Sequence, residues 1–339
     1  MTLNDVGVVA IGRNEGERLR QCLASLPAGV RAAVYVDSGS EDDSVAHARS
    51  IGVEVIELDR SAPFSAARAR NAGWQRLRER HPTLQAVFFV DGDCQIVPGF
   101  LEEAARVLHE SPQLSAVCGW RRERHAKQTI YNTICDVEWR IGGAGDTALF
   151  GGDVLIRLSE LARVAGYRDE LIAGEDPDLS VRLRLGGGRL VRLDRVATIH
   201  DVAMTRFRQW WKRAVRCGHC YAQLGDVYGR IPELSFWRDA RRSLFWGMVV
   251  PAVATSLALP SVGLSLGLFG AYPLEGLRIY QRSRQQGFTP RESAAWSASC
   301  VVGKLPESVG VLTYRLNKLR GRATVLIEYK GPAASGRSV

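Results

Sequence analysis

The stretch 86–99, AVFFVDGDCQIVPG, decides how the chain is read. Its first five residues are uniformly apolar, which suits a strand buried on both faces of a sheet. The run then stops in two carboxylates, Asp91 and Asp93, on either side of Gly92. A turn at a strand end leaves both carboxylates free, and two such oxygen ligands suit a hard divalent cation, Mg²⁺ or Mn²⁺, that also accepts phosphate oxygens. Acidic surface turns carry the same D-x-D pattern, so its neighbours have to decide between them.

Upstream, apolar runs of about five residues alternate with helix-patterned stretches of about a dozen, the signature of strands joined by crossover helices. Strands are expected over 6–11, 32–36, 53–58 and 86–90. The segment EGERLRQCLASLPAG sets Leu19, Cys22, Leu23 and Leu26 on one helical face and stops at Pro27 and Gly29. SAARARNAGWQRLRERHP forms a second helix that halts before Pro82. Open sheets of this type bind ligands beyond the carboxyl ends of their strands. Three such ends are polar here: Gly12-Arg13-Asn14-Glu15, Asp37-Ser38-Gly39-Ser40 and Asp91-Gly92-Asp93. A dinucleotide-binding Rossmann site is disfavoured, because GVVAIGRNEG lacks the G-x-G-x-x-G turn that admits a pyrophosphate.

The 339 residues allow one large domain or two smaller ones. A formal net charge of +9 points to an anionic partner. Lys and Arg cluster from Arg206 onward, in RFRQWWKRAVR, RDARR, RIYQRSR and RLNKLRGR. Cys217 and Cys220 frame His219 in a single C-x-x-C, but no second ligand pair at zinc spacing accompanies them, so packing is the expected role. The opening MTLNDVGVVAIGRNEG has neither a basic start nor a long apolar core, and the expectation is a cytoplasmic amino-terminal part.

Residues 243–274 carry no charged side chain, while arginines stand on both flanks at 238, 241, 242, 278, 282 and 284. About twenty apolar residues span a bilayer, so one span or two short ones are expected, and the symmetric basic flanks favour a hairpin or re-entrant pair. Further on, SAAWSASCVVGKLPESVGVLTY is interrupted by Lys304, Pro306 and Glu307 and reads as an interfacial helix or a poor third span.

The stretches VVAIGRNEGERLRQCLASL, VDSGSEDDS, ARARNAGW, VDGDCQ, LFGGDVLIR and GEDPDLSVRLR follow one another in the order and approximate spacing of family 2 inverting glycosyltransferases, which the chain resembles from about Val6 to Asp201. The resemblance implies a GT-A fold: an α/β architecture with a mixed, mainly parallel sheet flanked by helices. On that basis the domains are 1–203 catalytic, 204–242 basic and aromatic amphipathic helices, 243–330 a membrane-associated helical region, and 331–339 a disordered tail.

The resemblance also implies roles. Asp37 matches the acid that binds the donor nucleoside, and Arg70 and Asn71 fall in the segment lining the donor site, to which Arg13, Glu15, Ser38 and Asp91 also belong. Asp91 and Asp93 match the metal-binding D-x-D, with Asp93 the direct ligand of Mg²⁺ or Mn²⁺. Gly151, Gly152 and Asp153 match the acceptor-side loop, joined there by Glu175. Asp176 matches the catalytic base. His200 is either a further metal ligand or a hydrogen-bonded structural histidine.

The chemistry agrees, since inverting transfer needs a base on the attacking side and charge stabilisation where the diphosphate departs. Glu175 and Asp176 precede Pro177 at an expected helix start, a rigid mount for a base. The expected reaction moves a sugar from a nucleotide sugar, UDP-linked by preference, to a hydroxyl of a lipid-linked or envelope glycan. The expected place is the cytoplasmic membrane, with the catalytic domain facing the cytoplasm and no nucleic-acid partner. The rival readings are a sugar nucleotidyltransferase, against which the first loop lacks a glycine-rich basic sequence, and a non-catalytic membrane scaffold of the same fold.

Overall fold

A computed structural model describes residues 1–229, 231 and 234–322. The expected tail over 331–339 lies outside the described residues. In chain order the elements begin β1 (Val6–Gly12), α1 (Glu17–Ala24), β2 (Ala32–Asp37), α2 (Ser44–Ser50), β3 (Glu54–Glu57), α3 (Ala66–Arg80), β4 (Ala86–Asp91) and β5 (Cys94–Ile96). They continue with α4 (Phe100–Glu110), β6 (Leu114–Glu123), α5 (Ile130–Arg140), β7 (Gly145–Asp146), β8 (Val154–Arg157), α6 (Leu158–Arg163), α7 (Glu175–Leu185) and β9 (Arg189–His200). Helices complete the chain: α8 (Phe207–Tyr228), α9 (Phe236–Leu244), α10 (Val250–Ser256), α11 (Ala271–Gln285), α12 (Pro290–Val302) and α13 (Lys304–Leu319).

These elements divide into two compact units. Among the described residues, the first comprises Met1–His125 and Gly142–Ala203; the second comprises Ala126–Ile141 and residues 204–322. Helix α5, which falls inside the 1–203 segment, lies in the second unit.

The first unit is built on one sheet of order β3-β2-β1-β4-β8-β6-β9-β5, with β7 paired to β9. The four strands from β3 to β4 are parallel, as the alternating pattern predicts. Beyond β4 the sheet is mixed, because β8 runs antiparallel to both β4 and β6, and β5 and β7 run antiparallel to β9. Successive side chains of a strand face opposite ways, so β4 can feed both layers of core at once. Phe88 joins Leu19, Phe100 and Leu108 on one side, and Phe89 joins Trp74, Leu77, Leu161 and Leu179 on the other. Burial on both faces is why 86–90 reads as an unbroken apolar run. Each such aromatic contributes about 1.5–3 kcal/mol on removal from water.

Register brings the functional strand ends together. In the parallel pairing Gly12 stands opposite Asp37, and Ile11 opposite Asp91. The polar ends of β1, β2 and β4 therefore form one row along the carboxyl edge of the sheet.

In the second unit α8 and α13 meet through glycine. A Cβ on Gly218 would lie 1.9 Å from the carbonyl oxygen of Glu307, and one on Gly310 would lie 2.0 Å from the carbonyl oxygen of Val215. Backbone cannot yield to such an overlap as a flexible side chain can. Gly218→Ala is accordingly expected to destabilise this unit by about 1–3 kcal/mol or more through overpacking, which a shift of the urea-unfolding midpoint would measure. The aromatic and basic face of α8 is partly consumed by packing: Trp210 is buried and donates from Nε1 to Ser299 Oγ at 3.1 Å, and Arg213 grips Glu138 at 2.7 and 2.9 Å. Cys217, His219 and Cys220 join no cluster of metal-ligating side chains among the described residues, and the His219 ring packs edge-on against Tyr314.

The expectation of membrane-embedded spans needs correction. Among the described residues, no helix is long and apolar enough to cross a membrane. The uncharged stretch is folded back on itself instead. Its first arm runs through α9, a wider turn of helix at Phe245–Val249, and α10; its second runs from the tight helix Leu264–Gly270 into α11. Between them the chain reverses around Val262 and Gly263, both at positive φ. The reversal agrees with the hairpin expected from the basic flanks, and what needs correction is the crossing, since each apolar arm is short.

Candidate active site

The turns after β1 and β2 are stitched to each other. Asn14, in the left-handed region at φ 54°, donates its amide to Ser40 Oγ at 2.8 Å and accepts from the Glu41 amide at 2.7 Å through Oδ1. The Ser38 amide donates to the Gly12 carbonyl at 3.0 Å. Asp37 is buried, and its carboxylate accepts from the Tyr35 hydroxyl and the Gly39 amide, each at 2.9 Å, and from the Ser40 amide at 2.8 Å and the Ser40 hydroxyl. A carboxylate has about four lone-pair sites, so Asp37 is occupied in shaping its own turn. Arg13 lies over the ring of Phe64, 5.6 Å from its centroid. Glu15 is buried against Arg18, at 2.7 Å, and its Cγ lies 3.4 Å from where a Cβ on Gly92 would stand.

The centre of the site is Arg70 on α3, only 2% exposed. Ser65 caps that helix by accepting from the Arg68 amide at 3.2 Å, which fixes where Arg70 emerges. One guanidinium nitrogen donates to Asp91 at 2.9 Å; the other donates to Glu175 at 2.9 Å and lies 3.3 Å from Asp176. Tyr167 closes the pocket from the side, with its ring centroid 5.4 Å from the guanidinium. Gly152 permits this arrangement, since a Cβ there would stand 2.6 Å from the Arg70 guanidinium and 3.0 Å from the Asp91 carboxylate. Gly151 next to it is exposed.

Asp176 sits in the first turn of α7, after Gly174 in the left-handed region at φ 83°. Burial raises its pKa most, Arg70 opposes, and Glu175 and Asp91 add to the rise, which reaches about 7. Such a carboxyl exchanges a proton near neutrality, the property a general base needs. Its contact with Arg70 is an ion pair without hydrogen-bond geometry, so Oδ1 is not spent on the scaffold.

Arg121, near the end of β6, is a residue that sequence reading missed. It donates to Asp91 at 3.1 Å and to Asp153 at 2.6 Å. Both oxygens of Asp91 are thus held by guanidinium groups, one from each side. Asp153 is buried beneath, taken up by Arg121 and the Thr198 hydroxyl, with Oδ1 left without a hydrogen bond. Asn71 also has scaffold duties: its amide donates to Tyr167 O and to Asp169, both at 2.8 Å, and accepts from Trp74 Nε1 and the Tyr167 amide, both at 2.9 Å.

A second cluster of side chains lies past Gly92. Asp93 is buried, with one oxygen 3.2 Å from His200 Nε2, and His200 Nδ1 lies 3.6 Å from Glu123. Burial alone would keep the imidazole neutral, but Asp93 and then Glu123 outweigh it and raise its pKa. Strand pairing sets this contact, because β5 opposes β9 with Cys94 across from His200. Asp93, Cys94 and His200 could hold a cation among them, and so could Asp91, Cys94 and Asp153. A carboxylate with an imidazole fits Mn²⁺ better than Mg²⁺, which favours oxygen alone. The buried, unbonded Oδ1 of Asp153 fits a cation as well. Asp91 is held by two arginines, whereas Asp93 and His200 face each other.

Residues 8–154 match the family described as Glycosyl transferase family 2. Over that segment the chain is similar to a family 2 glycosyltransferase domain. Two solved structures resemble it over most of its length. One is the mannosyltransferase PcManGT from Pyrobaculum calidifontis, in complex with GDP-Man and Mn²⁺: 18% identity, TM-score 0.61, 91% of this chain and 87% of that one. The other is S. aureus TarS 1-349, in complex with UDP-GlcNAc: 14% identity, TM-score 0.50, 95% and 93%. At these identities the likeness establishes the fold, which for the glycosyltransferase domain is GT-A. The family match ends at β8, so α7 and β9, which carry Asp176 and His200, lie beyond it.

Proposed function

We propose that the protein is an inverting, metal-dependent glycosyltransferase that moves a sugar from a nucleotide sugar, UDP-linked by preference, to a hydroxyl of a lipid-linked or envelope glycan at the cytoplasmic face of a membrane. The observation that carries this reading is the single guanidinium of Arg70 between Asp91 and Asp176. It fixes the base and the acidic corner at one separation before either substrate arrives. Preorganised charge of this kind costs no rearrangement at the moment of reaction.

In the reaction the acceptor hydroxyl gives its proton to Asp176, and the oxygen attacks the anomeric carbon from the face opposite the nucleotide. The new glycosidic bond forms as the bond to the diphosphate oxygen breaks, and the electron pair leaves with the nucleoside diphosphate. Arg70 steadies the conjugate pair by holding Glu175 and Asp91 in place. Mn²⁺ or Mg²⁺ bound by Asp93 and His200 would neutralise charge on the departing diphosphate. Asp37, Ser38 and Asn14 shape the turns over which the nucleoside would lie, while Arg13 and Glu15 border them.

Two results would test this. Thermal-shift measurements with UDP-, GDP- and dTDP-sugars plus Mn²⁺ should raise the melting temperature with one donor class, since a ligand of the native state stabilises by mass action. Asp93→Ala should abolish the Mn²⁺-dependent part of that rise; no response to any donor would remove the reading. The pH profile gives the second. Asp176 must be ionised to accept a proton, so transfer should climb tenfold per pH unit below about 7 and level off above it. A profile flat from pH 5 to 9 would exclude Asp176 as the base.

A further inference from the structure

The uncharged hairpin in the second unit exposes what globular proteins bury. Leu259, Val262 and Leu264 at its tip are 93%, 92% and 84% exposed. Met248 and Val249 on the first arm and Leu268 on the second are also exposed. Contiguous apolar exposure of this extent marks an interaction surface. Its dimensions and its charge say which partner fits.

Each arm is short. From Leu244 to Ser256 the first carries thirteen uncharged helical residues, and from Leu264 to Leu274 the second carries eleven. At 1.5 Å per residue in α-helix and about 2.0 Å over the tighter helix Leu264–Gly270, each reaches about 20 Å, against about 15 Å for half of a bilayer core. Neither arm crosses; both match one leaflet.

Where the uncharged stretch ends, the chemistry changes at one level. Trp246 and Tyr272 face each other across the arms, with ring centroids 5.5 Å apart, and the tyrosine hydroxyl donates to the Trp246 carbonyl. Aromatics with a polar edge settle at the lipid headgroup level. Beside them opens a cavity of about 310 Å³ lined by Arg242, Arg282 and Lys304, by the acids Asp239 and Glu275, and by Trp246, Tyr272 and Trp296, so cations outnumber acids by one. Arg242 and Arg278 share one carboxylate, Glu275, at 4.0 and 3.4 Å. Cations at the rim of an apolar tip complement an anionic headgroup layer.

We propose that this hairpin is a monotopic wedge: its tip enters the acyl region of one leaflet, and the basic cavity at its root seats the phosphate of an anionic lipid. This deepens the membrane part of the proposed function and replaces the span expected from length. A second copy of the chain covering the tip is the competing occupant.

The test is flotation of the purified full-length protein with vesicles of phosphatidylcholine alone or with phosphatidylglycerol, alongside its mass in detergent-free buffer. Wild type should float, more strongly with the anionic lipid. Leu259→Glu/Leu264→Glu, at fully exposed positions that leave the far-UV spectrum unchanged, should lower partitioning about tenfold or more. Arg282→Gln should lower binding to the anionic vesicles about fivefold and leave binding to phosphatidylcholine alone unchanged. Flotation of the Leu259→Glu/Leu264→Glu protein like wild type would overturn the wedge. So would a wild-type dimer that does not float and that the double substitution splits into monomers. Inorganic phosphate competing as well as vesicles for Arg282 would show a free-anion site and remove the lipid assignment. Sugar transfer to a soluble acceptor, measured on the same samples, separates the two readings: transfer without flotation leaves the enzyme and removes the wedge, and flotation without transfer does the reverse.

Discussion

Replacing Asp176 with Asn leaves a folded protein that still takes up Mn²⁺ and nucleotide but transfers sugar about 10²–10⁴-fold more slowly, the range expected when a positioned base is lost. The amide has nearly the shape of the carboxyl and sits in the same first turn of α7, so the ion pairs of Arg70 with Asp91 and Glu175 stay in place. What disappears is the ability to take the acceptor proton. Single-turnover transfer assays set beside thermal shifts in Mn²⁺ and nucleotide would measure both halves. Equal loss of binding and of rate would mean that Asp176 holds the donor and is no base. Wild-type transfer by the variant would mean that Asp176 is not the base, and no transfer by the wild type itself would leave the scaffold reading standing.

The second large effect is on stability. Arg70→Ala removes the guanidinium that contacts both Glu175 and Asp176, leaving Glu175 buried and Asp176 half-buried close to Asp91. Breaking a buried ion pair from one side costs about 3–5 kcal/mol, because the stranded charge is no longer compensated. Urea unfolding should show a fall of that order in the first unit. The sign of a second change is also fixed. Arg70 is the largest influence holding the Asp176 pKa down, so its loss pushes that pKa above 7 and moves the rising limb of any residual activity to higher pH. Arg70→Lys keeps the charge but not the fork, and should restore part of the stability while leaving Asp91 and Glu175 less well held.

Much of this was legible before any coordinates. The strands β1, β2 and β4 announce themselves by apolar runs, and their polar ends lie in one row because parallel pairing with no register shift leaves no other outcome. The start of α7 was legible too, since glycine, two acids and proline in succession suit a helix amino terminus. The interior uses of individual side chains were not. Asp37 and Asn71 look alike whether they face a ligand or bond their own backbone, and only the surrounding donors and acceptors tell the two apart. Arg121 sits in the run GWRRER, where period-two alternation cannot say which arginine points to Asp91. The mixed half of the sheet was implied only by the family resemblance, because β5, β7 and β8 are too short to carry a pattern of their own. The hairpin was anticipated from its basic flanks, but its spans were not borne out: hydropathy counts residues, and Val262 and Gly263 reverse the chain before either arm is long enough to cross.

The carboxylates around Arg70 and Arg121 outnumber them. Asp91, Asp93, Asp153, Glu175 and Asp176 converge on a corner in which two guanidinium groups and one protonatable imidazole supply the positive charge. On the proposed function, a nucleoside diphosphate approaching this corner by itself would meet net repulsion, so the divalent ion would land first, or escort the donor as a neutralising chelate. Nucleotide affinity measured in a chelator should then be weak and should improve as salt screens the corner, whereas the ion-bound protein should show the opposite dependence.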